Sequence, residues 1–301
     1  IRSRAATRTD VVLGIGDDAA LLQPPAGMQL AVAMDTLNAG VHFPPGTAPA
    51  DIGWRALAVN LLDLAAMGAR PAWCTLALSL PDARAAFVDG FLDGFLELAD
   101  AHGIALVGGD TTRGPLSVCV TVHGFVEPGT ALRRDGANAG DDVWVSGTLG
   151  DAAGALAQWR AQGEEEGKRG QSHFSAEVSD QPELDVRKHD SDPFSLRARL
   201  DRPTPRVALG RALRGIARAC IDVSDGLLAD LAHVCAASGV GARIDVDALP
   251  ASDALRRACD GEALRNLQAG GGDDYELCFS ASRAMRATVQ ALATDAEPLT
   301  R

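Results

Sequence analysis

The chain has 301 residues, of which 47% are hydrophobic and 23% charged, a composition typical of folded globular proteins. With 40 acidic and 28 basic residues it carries a formal net charge of −12, which argues against a nucleic-acid partner. The 6 cysteines show no C-x-x-C spacing, a pattern typical of reduced core residues in a cytoplasmic protein. Since no apolar stretch is long enough to span a bilayer and no signal peptide opens the chain, we expect no membrane partner and a cytoplasmic location.

Short apolar runs bounded by Gly, Pro or Asp predict strands in the first half of the chain, and longer amphipathic stretches predict helices. The predicted strands cover residues 11–15, 28–33, 72–79, 104–107 and 117–126. The predicted helices cover residues 50–68 and 83–102. This alternation indicates an α/β or α+β domain that ends near residue 140.

A second unit begins with a predicted strand at residues 142–146. After it we predict helices at residues 151–158, 207–218, 226–237 and 254–268, and strands at 219–223, 241–246 and 275–280. Residues 162–200 are polar and aperiodic, which predicts a flexible surface insertion. The sequence thus predicts two domains, residues 1–140 and 141–301, with the insertion in the second.

Four segments place aspartates where an apolar run meets a Gly-rich or Ser/Thr-rich break: residues 16–18, 35–36, 108–111 and 222–226. Strand ends and turns can direct several carboxylates at one point, and carboxylates so placed repel one another unless cations lie between them. Mg2+ prefers such oxygen ligands together with substrate phosphates. Taken singly, each Asp-Gly or Gly-Asp pair is also ordinary turn or helix-cap chemistry.

Asp63 strengthens the functional interpretation, because it stands alone in the apolar helical stretch 60–67. A lone carboxylate there needs a partner, which is either a metal ion or an Arg. Together, Asp63 and the four segments predict a magnesium–polyphosphate site.

Seven blocks resemble, in order and over nearly the whole chain, those of the thiamine-monophosphate kinase family. This family belongs to a superfamily with aminoimidazole ribonucleotide synthetase and selenophosphate synthetase. The blocks are LGIGDDAAL at 13–21, DTLNAGVHF at 35–43, AVNLLDLAAMG at 58–68, GGDTTRG at 108–114, RPTPR at 202–206, IDVSDG at 221–226 and GGDDYEL at 271–277.

The resemblance implies a two-domain fold of the aminoimidazole ribonucleotide synthetase type, with an N-terminal and a C-terminal α/β domain. It also implies a homodimer in which the N-terminal sheets of two chains pair. The implied reaction transfers the γ-phosphoryl group of ATP to thiamine monophosphate, with several Mg2+ ions between the reactants. Because the attacking phosphate oxygen is already ionised, we expect direct in-line transfer and no covalent catalytic nucleophile.

The resemblance also implies roles for individual residues. The implied metal ligands are Asp18, Asp35, Asp63, Asp110, Asp222 and Asp225. The implied ATP contacts are Gly109, Asp110, Arg134 and Ser224, and the implied contacts to the thiamine substrate are His42 and Asp273.

Some assignments remain open. Arg113 is another candidate for phosphate contact, Arg133 stands beside Arg134, and Asp17 either binds a metal or orients its loop. Tyr275 and Glu276 are expected to begin the last strand.

The chain departs from the family pattern at two positions. Ala33 and Met34 precede Asp35 where the family offers Ser or Thr, and Asp273 stands where Glu is commoner. The family's opening helix and its closing aromatic segment are not in this sequence, and we expect them to lie beyond its ends.

Two rival functions remain. One is an enzyme of the aminoimidazole ribonucleotide synthetase kind, which uses the same aspartates to activate an amide oxygen. The other is a non-catalytic homologue that binds nucleotide or metal without turnover. Selenophosphate synthetase is disfavoured, since it needs a reactive Cys in a glycine-rich loop near the N-terminus, and none is present.

Overall fold

The computed structural model describes residues 1–170, 196–294 and 298–301. The first half of the chain contains, in order, β1 (Val11–Leu13), β2 (Leu21–Leu22), β3 (Gln29–Asn38), α1 (Pro49–Ala66), β4 (Arg70–Leu80), α2 (Ala85–His102), β5 (Ala105–Arg113) and β6 (Ser117–Val126). The second half contains β7 (Asp142–Ser146), α3 (Asp151–Gly170), α4 (Leu196–Asp201), α5 (Val207–Ala212), β8 (Ala219–Val223), α6 (Leu227–Ser238), α7 (Asp253–Ala258), α8 (Gly261–Gly270), β9 (Glu276–Ala281), α9 (Arg286–Gln290) and β10 (Leu299–Thr300).

The N-terminal half is built around a four-stranded sheet in the order β3-β6-β4-β5. β6 pairs antiparallel with β3 and with β4, whereas β5 runs parallel to β4. Alternate residues of β4 and β6 are buried against α1, which also packs closely on α2. Gly53 and Gly94 permit this close helix crossing, because a Cβ at Gly94 would lie 1.8 Å from the carbonyl oxygen of Ala50.

The C-terminal half contains an antiparallel four-stranded sheet in the order β10-β7-β9-β8. One core cluster joins its strands to α6 through Val145, Ile221, Val223, Leu227 and Leu231. Trp144 and Phe279, on β7 and β9, belong instead to the large cluster shared with α1. The two halves therefore share a continuous core, and this core fixes the position of α1 relative to the second sheet.

One predicted strand and two predicted helices of the second half are absent, shorter or broken in the structure. Residues 241–246 form no strand; they are largely exposed, and the Asp245 carboxylate instead caps a short turn by accepting from the Asp247 N–H. The helix predicted at 207–218 ends at Ala212, because Gly215 adopts a φ of +74°. The helix predicted at 254–268 is broken into α7 and α8 at Cys259, whose backbone is extended.

The predicted insertion at residues 162–200 is partly helical. α3 continues to Gly170 and α4 begins at Leu196, while residues 171–195 lie outside the described residues. Leu196 and Leu200, one helical turn apart, are buried against Ala152, Ala155 and Leu255. Because the residues around these two leucines are polar, the sequence shows no apolar periodicity that would predict the helix.

Among the helices in the described ranges, none combines the length and the hydrophobicity that a membrane span requires. The boundary predicted near residue 140 stays a prediction; it lies in the connection between β6 and β7.

Candidate active site

A polar cavity of about 370 Å³ lies where β3 and α1 of the first half meet β8 and α6 of the second. Most of the residues implied by the family resemblance line it: Asp35, His42, Asp63, Arg134, Asp222, Ser224, Asp225 and Asp273. The remaining implied residues, Asp18, Gly109 and Asp110, are exposed and do not line it. Tertiary packing therefore brings together side chains that are more than 200 positions apart in the chain, since Asp35 and Asp273 share one cavity.

The first half of the chain contributes Asp35 and Asp63. Asp35 was expected at a strand end, but it lies inside β3, which continues to Asn38 and pairs Asp35 with Val120. Its N–H donates to Asn60 Oδ1 at 2.9 Å, and Asn60 lies one turn before Asp63 on α1. This contact holds α1 against the outer edge of β3 and brings the two carboxylates to the same cavity.

The second half contributes a tight turn between β8 and α6. Asp222 lies on β8, and Ser224 and Asp225 follow it. The buried Asp230 carboxylate accepts hydrogen bonds from the Ser224 N–H at 2.9 Å and from the Asp225 N–H at 3.0 Å. Asp230 was missed in the sequence, although a lone carboxylate in an apolar helix is the signal that identified Asp63.

The carboxylates of the cavity repel one another. Burial, followed by the charges of Asp222 and Asp35, raises the pKa of Asp63 to about 7. Burial and the charge of Asp222 also raise the pKa of Asp35, while His42 opposes that rise. A site with this charge distribution favours cations and accepts a phosphate group when cations are bound with it.

Arg134 and His42 are among the cavity side chains that can donate to an anion. Arg134 Nη2 lies 3.8 Å from Asp222 Oδ1 and the side chain is 55% exposed, whereas Arg133 forms an ion pair with Asp135 outside the cavity. His42 Nδ1 accepts a hydrogen bond from the Asn38 N–H at 3.0 Å. Nε2 of His42 is therefore the ring nitrogen that remains available to a ligand.

Gly109 and Asp110 are separated from the cavity by the width of the sheet. The strand register runs from Asp35 through Val120 and Leu76 to Gly109, which corresponds to three strand spacings, or about 14 Å. Gly109 also has a structural role, since its φ is +142° and a Cβ would lie 1.9 Å from the Leu76 carbonyl oxygen. Their roles stay predictions, and one chain alone does not bring these two residues to Asp35.

The other outlying residues have local contacts. Asp17 Oδ1 accepts from the Asp18 N–H at 2.9 Å, which fixes the exposed loop between β1 and β2. Glu276 begins β9 as expected, but Tyr275 precedes the strand and lines the cavity. A sequence pattern does not distinguish a tyrosine that begins a strand from one that faces a cavity just before it.

The fold and the two-part cavity define the class of protein. Residues 16–126 match the family model for the AIR synthase related protein, N-terminal domain, and residues 138–296 match that for the C-terminal domain. The predicted two-domain fold is thereby confirmed. Structures of the hydrogenase maturation protein HypE, at 20% to 23% identity, share this fold.

The comparisons also define the family within that class. The crystal structure of thiamine-monophosphate kinase from Stenotrophomonas maltophilia has a TM-score of 0.87 and 55% identity, covering 100% of this chain and 90% of that one. The thiamine-monophosphate kinases of Salmonella typhimurium and Escherichia coli are 50% and 48% identical over 91% of this chain and 78% of each relative. The structure of AaThiL complexed with AMPPCP and TMP has a TM-score of 0.75 and 29% identity, covering 92% of this chain and 81% of that one. This chain belongs to the thiamine-monophosphate kinase family.

Proposed function

We propose that the protein transfers the γ-phosphoryl group of ATP to the phosphate of thiamine monophosphate, producing ADP and thiamine diphosphate. The observation that carries this proposal is the acidic cavity formed jointly by both halves of a chain that is 50% identical to a thiamine-monophosphate kinase. The structure of the relative AaThiL, complexed with AMPPCP and TMP, supports a site that takes both a nucleotide and the thiamine substrate.

We further propose that Mg2+ ions bind at Asp35, Asp63, Asp222 and Asp225. In the described part of the chain, no group of three or more His, Cys, Asp or Glu side chains is arranged so that it could hold a metal ion. Mg2+ is usually bound by one or two carboxylates together with substrate phosphates, so this donor set fits an ion that arrives with its substrate. When bound, Mg2+ would neutralise the phosphate charges and align the reactants.

The side chains of the cavity would then position the reactants. Arg134 and Ser224 would contact ATP, and Nε2 of His42 and the Asp273 carboxylate would face the thiamine substrate. A phosphate oxygen of thiamine monophosphate attacks the γ-phosphorus, the bond to the bridging oxygen breaks, and ADP leaves with the electron pair. The attacking oxygen is ionised near pH 7, so this step requires no general base and no covalent intermediate.

We propose that the active protein is a homodimer. β3 is an edge strand of its sheet. Three of its alternate apolar side chains are largely exposed: Leu30 at 48%, Val32 at 56% and Met34 at 61%. An apolar row of this kind on a sheet edge is usually covered by another chain. Within one chain, Gly109 and Asp110 lie away from the cavity. In a dimer, a partner chain could bring its own copies of these two residues to it.

The reaction is tested by incubating the purified protein with MgATP and thiamine monophosphate. We expect ADP and thiamine diphosphate in equal amounts, and no product when EDTA is present. If thiamine diphosphate is not formed but formylglycinamidine ribonucleotide is turned over, the protein is an enzyme of the aminoimidazole ribonucleotide synthetase kind. If ATP is bound and neither substrate reacts, the non-catalytic alternative holds.

A further inference from the structure

The loop between α8 and β9 has an unusual backbone that directs alternate side chains to opposite sides. Asp273 and Tyr275 have φ values of +69° and +51°, a left-handed region that Asp tolerates and that bulky residues such as Tyr rarely adopt. The Asp273 and Tyr275 side chains line the cavity, while Asp274 is buried on the other side, where it accepts from the Gly150 N–H at 2.8 Å. A strained conformation of this kind persists when its surroundings hold it in place.

The backbone of the loop is held by the end of β8. The Asp273 N–H donates to the Ser224 carbonyl at 2.8 Å, and the Tyr275 N–H donates to the Val223 carbonyl at 2.8 Å. The backbone of the loop is therefore attached to the end of β8 and to the turn after it, next to Asp222 and Asp225.

Arg55 holds the same loop from the other half of the molecule. This α1 residue is 1% exposed, and its Nη2 donates to Asp273 Oδ1 at 2.6 Å. Its Nη1 donates to the Leu200 carbonyl, and its guanidinium lies 5.4 Å from the centre of the Tyr275 ring. The Tyr275 hydroxyl donates to the same Asp273 Oδ1 at 3.2 Å.

These contacts leave one side of the Asp273 carboxylate open. Arg55 and Tyr275 both engage Oδ1, and no contact in the described part of the chain engages Oδ2. The Asp273 side chain is 27% exposed and lines the cavity, and because two donors hold Oδ1, Oδ2 is the oxygen that remains for a ligand. Charge-assisted bonds of this kind fix the orientation of a carboxylate strongly.

We infer that Arg55, assisted by Tyr275, is a positioning residue that orients Asp273 toward the thiamine substrate. This inference rests on the proposed function. The alternative is that Arg55 merely joins α1 to the second half. That junction is already made nearby, because Arg202 pairs with Asp51 at 2.6 Å and Trp54 Nε1 donates to the Pro203 carbonyl at 2.9 Å.

The test compares steady-state kinetics of Arg55→Gln, Asp273→Asn and the double variant. We expect each single variant to raise KM for thiamine monophosphate by about tenfold or more while KM for ATP stays within about twofold, because a misoriented carboxylate loses its substrate contact. The double variant should be no worse than the poorer single variant, since both remove the same contact. Arg55→Lys keeps the positive charge but lacks the planar guanidinium with its several N–H donors. It should therefore raise KM for thiamine monophosphate less than Arg55→Gln does.

The matched control is Arg202→Gln, which removes another ion pair to α1 but does not reach the cavity. It should leave both KM values unchanged. If Arg55→Gln does not fold, Tyr275→Phe decides the matter, because it removes the hydroxyl donor and keeps the ring; a few-fold rise in KM for thiamine monophosphate supports the inference.

Three results would overturn the inference. Arg55→Gln or Tyr275→Phe with a lowered melting temperature and unchanged KM would make these groups purely structural. Asp273→Asn with unchanged KM would remove Asp273 from the substrate site. A wild-type protein that forms no thiamine diphosphate would refute the proposed function itself, a result that the wild-type assay detects before any variant is compared.

Discussion

At the scale of single residues, Asp63 is the most informative side chain of the cavity. It lies on α1 among buried apolar residues, and its pKa of about 7 reflects burial first and the neighbouring charges of Asp222 and Asp35 second. Such a carboxylate binds either a proton or a cation readily. The turnover and the thermal stability of the protein should therefore depend, through Asp63, on both Mg2+ and pH.

Replacing Asp63 by Asn should lower kcat about 100-fold or more. The variant lacks the negative carboxylate that would hold Mg2+ next to the transferring phosphoryl group, where negative charge develops. Formation of ADP measures the effect, with circular dichroism to verify folding. Asp93→Asn is the matched control, since Asp93 lies on the neighbouring helix α2 and pairs with Arg4 outside the cavity. Near-normal turnover of the Asp63 variant would exclude this residue from the metal site.

The raised pKa of Asp63 also predicts how stability depends on pH without metal. A folded-state pKa above the unfolded value means that the folded protein binds this proton more tightly. The resulting stabilisation is complete below about pH 4 and is lost as pH rises through about 7. In EDTA, the melting temperature of the wild type should therefore fall more between pH 6 and pH 8 than that of Asp63→Asn.

Mg2+ added together with ATP should reverse this loss at pH 8 in the wild type and do so less in Asp63→Asn, because the ion takes the place of the proton. Parallel pH profiles for the two proteins in EDTA would show that Asp63 titrates normally.

At the scale of elements, the turn between β8 and α6 determines where Asp222 and Asp225 lie. Asp230 stabilises this turn by accepting from two successive N–H groups, and a typical hydrogen bond of a folded protein contributes about 0.5–1.5 kcal/mol. The carboxylate acts here as an acceptor within the fold, so its negative charge is less important than its oxygen.

Because Asp230 acts through its acceptor oxygen, two substitutions of this residue should have different effects. Asp230→Asn keeps an acceptor oxygen and should retain kcat within about threefold, whereas Asp230→Ala should lower it roughly tenfold or more because the turn loses its anchor. The apparent Mg2+ affinity should fall in the Ala variant alone. Equal losses of activity in the two variants would indicate that the charge of Asp230 takes part in the reaction.

At the scale of the whole molecule, the cavity exists because α1 of the first half packs against the second sheet. The same architecture leaves Gly109 and Asp110 about 14 Å from Asp35, three strand spacings away. If Asp110 acts at the cavity, it acts from the partner chain of the proposed dimer.

A mixed dimer tests this arrangement. Asp63→Asn and Asp110→Asn should each be nearly inactive alone, but their heterodimer should recover up to about half of the wild-type activity per dimer, because one of its two cavities would contain both native aspartates. Differently tagged subunits, co-expressed and purified in sequence, provide the sample. A heterodimer as inactive as its parents would place Asp110 in the cavity of its own chain or outside the reaction.

The amino-acid sequence was sufficient to identify the family, the two-domain fold and most of the side chains that line the cavity. It could do so because the aspartates stand in local motifs, such as residues 58–68 and 221–226, whose residue types already reflect their chemistry. Helices with strong apolar periodicity, such as α2, were predicted close to their observed ends. Segments without such a local signal, including residues 241–246 and the start of α4, were predicted wrongly.

Which distant residues come into contact became clear only from the folded chain. Arg55 and Asp273 are 218 positions apart, and nothing in the apolar pattern of α1 indicates that its buried arginine reaches the loop before β9. The same holds for Asp230 beneath the turn and for the separation of Gly109 from Asp35. Periodicity and motifs report interactions within a few residues, whereas such contacts depend on how two sheets and their helices pack, which is a property of the complete fold.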